Sequence, residues 1–533
     1  MPLSPPLQLE SNISTPIKHS ILTSYLEGYD NTLSIFLVEG FQFGFKIPYQ
    51  GPRQFRLSSN LPSIKGKESI LDHRLQQELL SNRIAGPFTE PPFPNIQVSP
   101  LGLVPKKSPG EYRLIHHLSY PEGGSINHHI PQEFCTVQYQ SVHTAIEIIK
   151  QLGKGALLAK TDIENAYKQI PIHPDDFELL GFMAHGQYYY DKTLPFGLSY
   201  ACNLFEKFSS ALQWILHSKF SVPHCVHVLD DFLFLGPPQS SECYSAHLAF
   251  HVLAKEIGLP VKTEKTVYPT TQLTFLGLEF DTVCFEVRLP HDKLVQLKSE
   301  IKKIQDKKSA TLRELQSLIG MLNFACNVVP PGRTFLRRLI NLTIGLKKTY
   351  HHRKLNLEAR ADLKAWAVFL EHFNGKAFFP SGITHSSSSL HLFTDASDLG
   401  FGGTFKNNWF SHPFTSNWLL YHISVREFLP IVIALEMWSS TLRNSTIVIH
   451  SDNLAVVQII NKNSSKDANL MRLMRRLMIL SLTFNTHFSA EHIQGITNVA
   501  ADLLSRLQVS EFRAKFPHMS KEQTTVPPSL VKI

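Results

Sequence analysis

At 533 residues the chain is long enough for roughly three or four domains of about 150 residues each. Apolar residues make up 43% and charged residues 18%, a balance that supports packed cores and excludes a disordered chain. The net charge of +8 is concentrated: residues 290–365 hold 16 Lys+Arg against 6 Asp+Glu. Such a stretch suits either a solvated helix surface or a polyanionic partner, most simply nucleic acid. Six scattered cysteines without a CxxC pair exclude a zinc finger and a disulfide framework, and point to a reducing compartment. The start MPLSPPLQLESN carries no signal-peptide pattern, and no apolar run approaches 18 residues. The expectation is an intracellular protein with no membrane partner, its nuclear or cytoplasmic address left open.

In chain order, residues 1–95 alternate helical patches with Gly-Pro and Pro-rich punctuation and read as an N-terminal extension or first lobe. From 96 to 289 the pattern is mixed α/β. A strand is expected at 156–162, and Leu204, Phe208, Leu212 and Ile215 predict a helix over 199–217. The run VHVLDDFLFLG (226–236) reads as a buried strand–turn–strand. A basic helical segment follows over 290–384, with Thr311-x-x-Glu314 as a capping box that opens a helix. A Ser-rich break at 385–389 precedes a second α/β unit, 385–510. Its strands are expected near 390–396, 400–406, 446–451 and 484–489, and its helices near 424–440, 453–462, 466–481 and 498–507. Residues 511–533 read as a loose tail. No internal repeat is present.

Asp230 and Asp231 stand side by side inside that apolar run, and Lys219 is the one Lys or Arg in the twenty residues before them. Adjacent anions in low-dielectric surroundings repel and are costly to desolvate, so a divalent metal is the economical explanation. Two-metal phosphoryl transfer needs carboxylates from separate strands that converge on ions about 3.5–4 Å apart. Asp162, which ends the strand ALLAKTD, is the candidate third acid, with an N-cap or turn residue as its plain alternative.

Around these acids, VPKK with Arg113, KTDIENAYKQI, LPFGLS, VLDD, the Lys265 segment and FLG follow one another. In that order and spacing they resemble the reverse transcriptases. The resemblance implies a right-hand polymerase of fingers, palm and thumb, with Asp162, Asp230 and Asp231 as the metal-binding triad. It also implies that Lys106 and Arg113 contact the triphosphate, that Tyr167 disfavours a 2′-hydroxyl, and that Lys265 lies near the triphosphate. Phe275, Leu276 and Gly277 would form the primer-gripping hairpin. Plainer readings compete: Tyr167 as a core aromatic, Lys106 and Arg113 as hairpin cations, Lys265 as a surface lysine. One departure is Val228, where the family's commonest form has tyrosine, which bears on efficiency more than on chemistry.

Downstream, LHLFTDASDLGFG places Asp395 at a strand end, Ser424-x-x-Glu427 opens an apolar helix, and IVIHSDN ends a strand near Asp452. HIQGITNVAADLLSR then carries His492 and Asp502. Glu427 alone fits a capping box, and Asp502 a first-turn helix acid. Together the order resembles ribonuclease H. By that resemblance Asp395, Glu427, Asp452 and Asp502 hold two Mg²⁺, and His492 assists product release or proton transfer.

The fold class expected is therefore α+β and α/β multidomain, a right-hand polymerase followed by an RNase H-like α/β domain. The implied partners are an RNA template, a DNA primer, RNA–DNA hybrid and dNTPs, with two Mg²⁺ per site and Mn²⁺ as a substitute. AGPFTEPPFPNIQVSPLGLVPKK, YRLIHHLSYP and SLIGMLNFA resemble the DIRS/Ngaro branch of retrotransposons, which move with a tyrosine recombinase. No such recombinase is expected within the chain, so that partner would be a separate reading frame or a lost segment. The rival expectation is a decayed or repurposed nucleic-acid-binding relic, against which the intact set of seven acids counts.

Overall fold

The computed structural model describes residues 13–105, 110–372, 390–439, 441–442, 445–484 and 486–531. Lys106 and the expected linker at 385–389 lie outside the described residues. The chain divides into two compact units, Met1–Leu276 with Phe280–Cys284 and Gly277–Glu279 with Phe285–Ile533. Among the described residues no helix is long and apolar enough to cross a membrane.

The first unit is built on a four-stranded sheet in the order Cys225–Val228, Asp231–Gly236, Leu157–Asp162, Val267–Thr270. Helices Ala201–Lys219 and Glu242–Ile257 bury their apolar faces against it. Leu204, Phe208, Leu212 and Ile215 are all fully buried, as their spacing predicts. Beside the sheet stand the hairpin Leu101–Pro105/Tyr112–His116 and a three-stranded sheet, Ile84–Phe88, Gln187–Asp191, Gly181–Ala184. Residues 13–95 share the core of this unit. Leu22, Leu37, Phe41 and Phe45 belong to the same core as Phe205 and Phe208, and the Phe41 and Phe208 rings meet edge-on at 4.8 Å.

The second unit holds both the basic helices and a five-stranded sheet. Helices His291–Gln305, Leu312–Ala325 and Leu357–His372 precede the sheet, whose order is Asn408–Pro413, Gly400–Phe405, His391–Ala396, Thr446–Ser451, His487–His492. The expected capping box is present: Thr311 Oγ1 accepts from the Glu314 N–H at 3.2 Å, and Glu314 Oε2 accepts from the Thr311 N–H at 2.9 Å. A buried carboxylate ties the helices to the sheet layer. Asp362, 1% exposed, accepts from Arg338 Nη1 at 3.1 Å and lies 3.5 Å from Arg475 Nε on the helix Ala468–Phe484.

Three expectations need correction. The strand expected at 484–489 begins at His487, since the helix before it, packed through Leu470, Leu473, Met474, Leu477 and Met478, runs on to Phe484. The strand Asn408–Pro413 was not anticipated; it pairs with Gly400–Phe405 across a two-residue turn, Lys406-Asn407, with Lys406 at φ +53°. The tail beyond 511 is docked. Helix Val509–Lys515 buries Phe512, Trp409 Nε1 donates to the Ser520 carbonyl at 2.7 Å, and Trp418 Nε1 donates to the Val531 carbonyl at 3.0 Å.

Thr311→Ala is expected to destabilise the first turn of helix Leu312–Ala325 by about 1 kcal/mol, read as faster amide exchange there. Lys307 and the Thr311 amide hold the Glu314 carboxyl down at about 2, so its contribution is present above the ordinary carboxylate range and lost as pH falls through about 2. The exchange difference between wild type and Glu314→Gln should accordingly close on acidification towards pH 2.

Candidate active sites

In the first unit, antiparallel register sets Asp162, the last residue of its strand, opposite Asp231, the first residue of its neighbour. Asp230 is delivered by the tight turn joining Val228 to Asp231, in which Leu229 adopts φ +54°. Three carboxylates thus gather at one end of a buried sheet. Burial, then the nearby Asp162, pushes the Asp230 carboxyl up to about 6, and burial also raises that of Asp231.

Two lysines partly balance them, neither from the stretch preceding the pair. Lys265 Nζ donates to Asp162 Oδ2 at 2.7 Å, and Lys160 Nζ lies 3.1 Å from Asp231 Oδ1. A cleft of about 510 Å³ opens beside the acids and is lined by Arg113, Tyr167, Asp162, Asp230, Lys262 and Lys265. The Arg113 guanidinium stands over the Phe196 ring at 5.7 Å. Tyr167 packs against Phe196 and Phe205 at 5.2 and 5.6 Å, with its hydroxyl 3.1 Å from Cys202 Sγ. Burial raises its phenol pKa, so it stays a neutral ring in the cleft wall.

The deeper wall is ionic and was not anticipated from sequence. Asp191 accepts from Lys168 Nζ at 2.7 Å and meets His116 Nδ1 at 3.0 Å. His116 also explains the glycine of LPFG: Gly197 has φ +125°, and a Cβ there would fall 2.1 Å from the His116 carbonyl oxygen. In the FLG segment Phe275 is buried, while Leu276 and Gly277 turn the chain with φ +48° and +77°.

In the second unit the strands of Asp395 and Asp452 run parallel and side by side, with Phe393 opposite His450. Continuing that register brings Asp395 level with Asp452. Helix Ile423–Met437 adds Glu427, and ligand atoms of Asp395, Glu427 and Asp452 lie within 4.8 Å of one another. Glu427 does not close a capping box. The helix N-cap is His422, whose ring accepts from the Ser424 N–H, and this places Glu427 inside the helix at 6% exposure. Burial, then Asp395 and Asp452, drives its carboxyl up to about 9. Its Oε2 is buried without a partner, an acceptor set that fits a hard divalent cation. Ser505 Oγ donates to Asp395 Oδ2 at 2.5 Å. Asp502 stands outside the three-acid cluster, with Oδ1 accepting from Arg506 Nε at 2.8 Å. His492 is exposed, its Nε2 3.1 Å from the Asp452 carbonyl oxygen.

Two family models match the chain: reverse transcriptase (RNA-dependent DNA polymerase) over residues 104–280, and the RNase H-like domain found in reverse transcriptase over 385–482. The enzymatic polyprotein of Carnation etched ring virus is 25% identical over 69% of this chain and 53% of its own length. The transposon Tf2-3 polyprotein of Schizosaccharomyces pombe is 22% identical over 89% of this chain and 32% of its own. The chain therefore spans about half, or less, of these relatives' length. The foamy viral protease-reverse transcriptase solved in complex with RNA/DNA hybrid shares the fold at a TM-score of 0.51 and 17% identity, covering 89% of this chain and 62% of that one. The chain thus carries a reverse-transcriptase domain followed by an RNase H-like domain of the kind found in reverse transcriptases.

Proposed function

We propose that the protein is an RNA-directed DNA polymerase with ribonuclease H activity on RNA–DNA hybrids, acting on a retrotransposon RNA. The observation that carries this reading is the pairing of Asp162 with Asp231 across one sheet, beside Asp230 and a cleft walled by Arg113, Tyr167 and Lys265. Residues 96–289 would be fingers and palm, 290–384 thumb and connection, and 385–510 the nuclease. The foamy viral enzyme's complex with hybrid supports hybrid as the partner here.

Each of this chain's groups has a task in that chemistry. Asp162, Asp230 and Asp231 would hold two divalent ions, as would Asp395, Glu427, Asp452 and Asp502 in the nuclease. Bound there, Mg²⁺ or Mn²⁺ supplies positive charge that acidifies the attacking hydroxyl or water and stabilises the charge developing on the phosphoryl group. Arg113 and Lys106 would bind triphosphate oxygens of a dNTP, with Lys265 close by. Tyr167, wedged against Phe196 and Phe205, would leave no room for a ribose 2′-hydroxyl. Phe275, Leu276 and Gly277 would steady the primer, and His492 would serve the nuclease at the edge of its site. The motif wording of the DIRS/Ngaro branch supports a tyrosine recombinase as a further partner.

Primer extension on an RNA template tests the reading. Asp230→Asn should lower extension on the order of a thousandfold or more while hybrid cleavage continues. Asp452→Asn should do the reverse; loss of both activities in either variant would point to a common folding defect instead. Tyr167→Ala should admit ribonucleotides, read as a fall in the dNTP-over-rNTP preference of at least tenfold. Mn²⁺ or Mg²⁺ should raise the unfolding temperature of the metal-stripped protein, with about 2.7 kcal/mol gained at a hundredfold excess over Kd. That shift should shrink in Asp395→Asn.

A further inference from the structure

We propose that Glu206 is a positioning residue for polymerisation, clamping the turn that delivers Asp230; this rests on assigning Asp162, Asp230 and Asp231 to nucleotidyl transfer. Leu229, the residue before Asp230, sits at φ +54°, where a side chain with a Cβ is strained. Such a conformation persists only where its surroundings over-determine it. Here both polar groups of Leu229 are held by one turn of helix Ala201–Lys219. The Leu229 N–H donates to Glu206 Oε2 at 3.0 Å, and its carbonyl accepts from Ser209 Oγ at 2.8 Å.

Glu206 also reaches the preceding strand. It is 8% exposed, and its Oε1 lies 3.2 Å from Nε2 of His227, whose ring stacks on Phe232 at 5.2 Å. A single carboxylate therefore touches the hairpin at residue 227 and at residue 229, on the approach to the two aspartates. Ile163 closes the far side, its N–H donating to the Asp230 carbonyl at 3.0 Å. Without Glu206 the Leu229 amide loses its acceptor and the strained turn loses one of its two holds. The Asp230 carboxylate would then wander by distances that matter for in-line transfer. Glutamine keeps an acceptor oxygen for that amide, whereas alanine does not.

The test uses the full chain with Glu206→Ala, Glu206→Gln and Ser209→Ala. For Glu206→Ala we expect the kcat of primer extension to fall at least tenfold and the dNTP KM to stay within about twofold. Hybrid cleavage should be unchanged, and the Leu229 amide should exchange at least tenfold faster. Glu206→Gln should restore most of the kcat and the slow exchange. Unchanged extension or unchanged Leu229 exchange in the alanine variant overturns the proposal, as does a glutamine variant as slow as alanine. If Glu206→Ala also loses hybrid cleavage, its fold is damaged and Ser209→Ala decides. That variant should slow extension alone, and wild-type extension in it counts against the clamp. If the wild type extends no primer, the polymerase reading itself fails, and Leu229 exchange still reports whether Glu206 holds the turn.

Discussion

Both candidate sites of this protein are shaped by repulsion between carboxylates that the fold forces together. Two unit charges 4 Å apart at an effective dielectric of about 20 oppose each other by roughly 4 kcal/mol, and burial adds to that. The chain meets this condition twice by different routes. In the first unit an antiparallel pair places Asp162 against Asp231, and a strained turn adds Asp230. In the second a parallel pair brings Asp395 level with Asp452, and a helix supplies Glu427 from above the sheet.

The two sites relieve the repulsion unequally. Around Asp162 and Asp231 the fold brings in Lys265 and Lys160, leaving Asp230 as the carboxyl whose proton is held to about 6. Around Glu427 no lysine ion pair is found among the described residues; Arg426, which opposes the rise only weakly, pairs with Asp398, and the carboxyl keeps a proton to about 9. The polymerase-like site is therefore balanced in part by its own side chains. At the nuclease-like site Ser505 and the Ala396 backbone offset only part of the burial and repulsion, so its carboxyls lean more heavily on protons.

Much of this was legible in sequence because it is periodic or local. The four apolar residues of helix Ala201–Lys219, the strand Thr446–Ser451 and the Thr311 capping box follow from spacing alone. Asp162, Asp395 and Asp452 were legible as strand ends. What escaped depends on contacts far apart in the chain: Lys265 reaches Asp162 across 103 positions, and Asp191 gathers Lys168 and His116 from separate elements. Glu427 shows the reverse difficulty. Ser424-x-x-Glu427 satisfies a local rule, but the His422 ring starts the helix two residues earlier and turns the glutamate into the core. Glu206 carried a faint signal, as the one acid in an otherwise apolar and neutral-to-basic helix.

The docked tail changes where the nuclease-like layer ends. Composition suggests a boundary near 510, yet Phe512 is fully buried against Trp409, and Ser520 and Val531 supply the acceptors for two indole N–H groups. A protein cut at 510 would present Trp409 and the flank of Leu503 and Leu504 to water as a fresh apolar surface. Such a surface favours self-association, so solubility, rather than catalysis, would be the first property to suffer from a boundary drawn by composition.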